Sequence, residues 1–149
     1  MISAASLFSL CNGLALLTWV VLSVSLFVPF IRRWTWIGAG LVVPALLAVA
    51  YIGTLAAGLA GGARGGFDSI EAVRSLFADD HALTAGWIHY LAFDLFVGTW
   101  IARTGIAAKL SPLLILPCLL LTFLVGPAGL LLALVIGFST SRPILKEQT

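Results

Sequence analysis

Charge is what this sequence has least of. Only 9% of its 149 residues are Asp, Glu, Lys or Arg, too few for the mixed-charge surface of a soluble domain. At the same time 61% are hydrophobic and the mean hydropathy is +1.14, which points to a chain that lives in lipid. The eight basic and six acidic residues are scattered near helix ends, with no basic run able to follow a phosphate backbone, so nucleic acid is not an expected partner. Cysteine is scarce as well. Cys11 and Cys118 fall in the first and last apolar stretches, toward opposite leaflets, which excludes a disulfide between them and leaves the redox compartment open. No Lys or Arg precedes Arg32, so the basic start of a cleavable signal or of a transit peptide is missing. Met1 is read as the start of a bacterial-type membrane protein, or of a shortened chain, with the bacterial inner membrane as its expected location.

Equally absent are a glycine-rich phosphate loop, a nucleophile elbow and a haem attachment motif. The chain has two histidines. His81 stands beside Asp79 and Asp80 in a solvated loop, too few ligands to hold a metal. No metal and no cofactor are expected.

What is there is a set of long apolar runs, and a helix needs roughly 20 such residues to cross the hydrocarbon core. Four segments qualify, approximately 7–30, 36–60, 83–103 and 112–138. They end in interface residues: Arg32, Arg33 and Trp34 after the first, Arg103 after the third, Arg142 after the fourth. Nothing alternates like a barrel strand, so helices are the only structure that satisfies the backbone in lipid. The expected fold is all-α: a polytopic membrane protein, one domain over residues 1–149, with four transmembrane helices. A short amphipathic helix at Asp68 to Ala78 should lie at the interface between spans 2 and 3, capped by Asp68 and carrying Ile70, Val73, Leu76 and Phe77 at helical spacing. Basic residues tie at four on each side, and the first span, with none before it and two directly after it, favours both termini outside. Pro44, Pro117 and Pro127 interrupt the spans. Gly126-Pro127 should bend the fourth helix and expose the Phe123 carbonyl.

The third span carries the polar groups, in Gly86-Trp87-Ile88-His89-Tyr90-Leu91-Ala92-Phe93-Asp94-Leu95-Phe96. A carboxylate at mid-span costs roughly 2.5 to 3.5 kcal/mol on insertion scales and needs a partner or a proton. At about 100 degrees per residue, Trp87, Tyr90 and Asp94 share one stripe with Gly98. His89 stands about 140 degrees round the helix from Asp94 and roughly 7.5 Å along it. The two cannot bond directly, but both could border one cavity with Asn12 and Tyr51 from neighbouring helices. Asp94 has two readings. It either fixes helix register by bonding Asn12, Tyr51 or a freed carbonyl, or it exchanges a proton in an apolar pocket. Trp19, Trp34, Trp36, Trp87 and Trp100 suit an aromatic belt. Phe27, Phe93, Phe96 and Phe123 lie deeper, where they suit a flat polyene or ordinary helix packing.

The motif at 86–96 resembles the signature of the abscisic-acid-deficient-4-like family, neoxanthin-synthase-like membrane proteins. The resemblance extends to Thr18-Trp19, Pro29, Ser75-Leu76-Phe77, Leu116 through Phe123 and Gly126 through Leu131. It implies a carotenoid or other isoprenoid ligand and an isomerase-like reaction that opens an epoxide to an allene without net redox change. Such a reaction needs an acid and a base, and the resemblance implies His89 and Asp94 for these roles. Asn12, Trp19, Tyr51, Trp87, Tyr90, Phe93 and Phe123 are the expected ligand contacts. Expected partners are membrane lipids and the hydrophobic ligand, with room for an oligomer. A non-catalytic lipid-binding or scaffold subunit is the first alternative. A small proton-coupled transporter is the second, ranked last because no internal repeat is visible.

Overall fold

Helix α1, Ala4–Ser25, begins where the Ser3 side chain accepts from the Ser6 N–H and so takes up one of the free donors at a helix start. Its far end is closed by Arg32, which donates to the Ser25 carbonyl at 2.9 Å and to the Leu26 carbonyl at 2.6 Å. Those are carbonyls a helix end leaves unpaired. The computed structural model to which these elements belong describes residues 3–139, and among them there are helices and turns but no strand.

A short 3₁₀ turn, Pro29–Ile31, starts a second rod. It continues as α2, Arg32–Ile37, a π-helical turn, Gly38–Val42, and α3, Val43–Ala60. Pro44 has no N–H to give, and the wider π turn just before it absorbs the defect. The rod Pro29–Ala60, 32 residues, and α1, 22 residues, are the two helices long and apolar enough to cross a membrane by length and composition. They correspond to the expected segments 7–30 and 36–60.

The loop beyond α3 leads into α4, Ile70–Leu76, which is shorter than the expected 68–78 and is capped by Ser69 rather than Asp68. The Ser69 side chain accepts from the Ala72 N–H. Serine wins because its extended backbone aims the hydroxyl back into the first turn. Helix α5, Asp80–Ala107, contains the expected third segment and is the longest single α-helix at 28 residues. Asp79 caps it, accepting from the His81 and Ala82 N–H groups at 3.0 Å each. That use explains the acid beside His81, and among the described residues no three His, Cys, Asp or Glu side chains converge as a metal site would require.

The expected fourth span needs correction. Residues 112–138 do not form one bent crossing helix but two half-length helices, α6, Pro112–Val125, and α7, Pro127–Ser139, folded back on each other. Gly129 packs directly on the Thr122 side chain and the Cys118 carbonyl. In a continuous helix it would lie about 10 Å beyond Thr122 along the axis. Ala133 is buried with Ile115 and Cys118, and Ile136 shares a small apolar pocket with Leu114 and Gly105, as an antiparallel hairpin requires. Gly126 makes the reversal. Its φ of 52° with ψ of −98° is a conformation that a Cβ opposes and glycine allows, and Pro127 then starts α7 at the position that needs no N–H. Proline alone would bend the helix; with glycine before it, the chain turns round.

The hairpin divides the core. In the half that holds the hairpin, Trp19, Leu22, Leu95, Ile101, Ile115, Leu119 and Ala133 pack as one cluster. In the other half only α1, α3 and α5 meet, through Cys11, Ala15, Leu47, Ile88, Leu91 and Ala92. The cysteines, both free and buried, therefore stand in opposite halves. Beside the three-helix half, between α1 and α5 and beyond the hairpin tip, Leu83 and Trp87 remain 51% and 41% exposed. That part of the α5 surface is uncovered.

Candidate functional site

Asp94 lies at the midpoint of α5. The tip of the hairpin sits on it: a Cβ built on Gly126 would stand 3.0 Å from Asp94 Oδ2 and 3.1 Å from Oδ1. The glycine thus serves the turn and the close approach together. One helical turn away, the Tyr90 hydroxyl lies beside the Asp94 carboxyl and donates to the Phe123 carbonyl at 3.2 Å. That carbonyl is the one whose helical partner would be the N–H of residue 127, which proline lacks. The expected exposure of the Phe123 carbonyl is present, and Tyr90 answers it.

Each group that sequence reading offered as a structural partner for Asp94 is engaged elsewhere. Asn12 Oδ1 accepts from Trp87 Nε1 at 3.1 Å, Tyr51 faces the His89 ring at 5.7 Å between centroids, and the freed carbonyl belongs to Tyr90. Asp94 Oδ2 is buried without a hydrogen-bond partner. A tyrosine hydroxyl carries a single proton, so Tyr90 cannot serve both the Phe123 carbonyl and the carboxyl at once. A protonated Asp94 would resolve this by donating to the Tyr90 oxygen while Tyr90 donates onward to the Phe123 carbonyl, a two-link hydrogen-bond chain ending on backbone.

The neighbouring side chains are aromatic. Trp87 lies 5.3 Å from Tyr90 and 5.7 Å from Phe8, centroid to centroid. Trp19 has its ring packed on Gly98, where no side chain could fit, and its edge turned to Phe123 at 5.7 Å and 61°. The chain Gly98, Trp19, Phe123 therefore fixes the backbone carbonyl that holds Tyr90.

Of the expected site residues, the structure links Asn12, Trp19, Trp87, Tyr90, Asp94 and Phe123 into one connected group. It does not bring His89, Tyr51 or Phe93 there. His89 is exposed, stacked on Phe93 at 4.5 Å and 26°, with Tyr51 on its other side, a separate aromatic group on the face of α5 toward α3. The angular separation read from the sequence is preserved, and helix α3 packs against α5 on the His89 side. Phe27 and Phe96 are exposed on the outer surface, 52% and 55%. Sequence reading missed Phe8 and Gly126. Phe8 carries no signal in the sequence, whereas a Gly-Pro pair closing an apolar run is a turn signal that the length of the run outweighed.

No curated protein and no solved structure is significantly similar to the chain. A family model described as ABA DEFICIENT 4-like matches residues 6–132, a range that runs from within α1 into α7 and holds the hairpin turn and every residue of the group around Asp94, and the chain belongs to this ABA4-like family.

Proposed function

We propose that this is a membrane protein with three crossing helices and a re-entrant helical hairpin, which binds a carotenoid or other isoprenoid against the aromatic face beside the hairpin tip and rearranges it by proton transfer at Asp94. The observation that supports the reading is a mid-span carboxyl with one oxygen, Oδ2, buried and unpartnered, beside Tyr90 and an aromatic group that reaches the exposed Trp87. A carboxyl in a span is maintained at a cost, and a proton on Asp94, held by Tyr90, lowers that cost and is the proton the reaction needs. Half-length helices inside a bilayer are tolerated where their ends are buried in protein or face a cavity. The hairpin tip, against Asp94 and Tyr90, meets that condition.

The chemistry balances on one carboxyl. Protonated Asp94 gives its proton to an epoxide oxygen, the C–O bond breaks, and the electron pair leaves with the oxygen as a hydroxyl. The carboxylate so formed takes a proton from the adjacent polyene carbon, and that C–H electron pair becomes the new double bond. No electron acceptor is consumed, and Asp94 ends as it began. A double-bond shift runs the same way, with the proton added at one carbon and removed from another. Tyr90 orients the carboxyl and the Phe123 carbonyl orients Tyr90. His89, on another face, is not needed for either step.

Lipid extraction of the purified protein followed by mass spectrometry tests the ligand, and conversion of an epoxy-carotenoid, or of the lipid that co-purifies, tests the reaction. Asp94→Asn should bind and not convert. The exposure of Leu83 and Trp87 favours a second reading, a carrier that presents the isoprenoid to other enzymes. Retained binding with no turnover by the unaltered protein would select it. A small solute that moves with protons, and no bound lipid, would select transport.

A further inference from the structure

The hairpin changes which residues share an end of the bundle. Because α7 returns to the end from which α6 starts, that end holds the turn after α1 and the turn after α5, with Arg32, Arg33, Arg103 and Lys109, and no acidic residue among the described ones. The opposite end holds the N-terminus of α1, the loop after α3, α4 and the start of α5. Its described charges are Arg64 and Arg74 against Asp68, Glu71, Asp79 and Asp80. The balanced count that a fourth full span produces becomes four basic residues against two. Arg142 and Lys146, which that count had placed outside, lie outside the described residues and are not needed for the comparison.

Basic residues in short connections are retained on the cytoplasmic side, and acidic residues weigh little in this choice. We infer that the basic end is cytoplasmic and that the start of α1 and the end of α7 lie on opposite sides of the membrane. The uncovered stretch of α5 around Leu83 and Trp87 then lies toward the leaflet facing away from the cytoplasm, so that an isoprenoid meeting Trp87 is a lipid of that leaflet. This last step rests on the proposed ligand site; the sidedness does not.

The experiment reads the sidedness without activity. Ser75→Cys on α4 and Ser111→Cys before α6 are exposed, charge-neutral positions at opposite ends, and the native cysteines are buried, so the unaltered protein sets the background. A membrane-impermeant maleimide should label Ser75→Cys in intact cells and Ser111→Cys only after the membrane is opened. A reporter fused after Thr149 should be active in the cytoplasm. Labelling of Ser111→Cys in intact cells, or of Ser75→Cys only in opened ones, overturns the leaflet assignment. A reporter active only outside while Ser111→Cys stays protected in intact cells overturns the hairpin, since only a fourth crossing would carry the end of the chain across. Loss of turnover in Asp94→Asn bears on neither, which keeps a failure of the proposed reaction distinct from a failure of the topology.

Discussion

Asp94 and Gly126 are in contact, and each constrains what the other can be. The carboxyl needs a neighbour without a side chain, and the turn needs a residue that tolerates a φ of 52°. Gly126→Ala should therefore lower stability by about 1–3 kcal/mol from backbone strain, seen as a lower melting temperature in detergent. Gly13→Ala on α1, where an added Cβ meets nothing within 4 Å, should be neutral or slightly stabilising. Asp94→Asn keeps the size and hydrogen bonding of the carboxyl but not its proton exchange. Turnover should fall by about 10²–10⁴-fold with the melting temperature unchanged; full turnover would leave Asp94 as a polar register contact. Tyr90→Phe should reduce turnover less than Asp94→Asn, because it removes an orienting group and not the proton. His89→Gln should stay within about tenfold of the unaltered protein. A loss at His89 as deep as at Asp94 would mean that the exposed face takes part. The stripe Trp87, Tyr90, Asp94 was legible in the sequence because it follows from helix periodicity alone. The neighbours of Asp94 were not, because they depend on how the last helices fold back.

At the scale of elements, the hairpin is the part that sequence periodicity could not announce. An apolar run of 27 residues reads as a span by length, and nothing in hydropathy distinguishes one crossing from two half-crossings. The distinction is local and lies in Gly126-Pro127. A chemical ruler follows from it: Cys118 and Ala133 sit in one cluster and line the same small pocket, but in a continuous helix they would be about 22 Å apart along the axis. Ala133→Cys should form a disulfide with Cys118 on treatment with a membrane-permeable oxidant, and the monomer should then resist modification at both positions. Failure to cross-link, with both thiols free to react, would restore the straight span. The other elements were readable from local signals. Ser3, Ser69, Asp79 and Ser111 all stand where a side-chain oxygen accepts from the first turn of a helix, and the interfacial helix keeps its expected place, capped one residue later and ending two residues earlier.

For the whole molecule, the sequence by itself determined the class, the helices and the polar stripe. Composition excludes a soluble surface, helical spacing puts Trp87, Tyr90 and Asp94 on one face, and missing N–H groups at proline fall where they must. These are properties of the chain over one or a few helical turns. Only the tertiary structure decided that one oxygen of Asp94 is buried without a partner, that His89 belongs to another face, and that the last apolar run returns to its starting end. Each of these depends on contacts between residues more than twenty positions apart, or on a single backbone reversal. Hydropathy averages over a window and is insensitive to both. Charge shows the difference most plainly: the same basic residues balance when the last run crosses and segregate when it turns back, because the sidedness of a charge is set by the path of the helices between it and its neighbours.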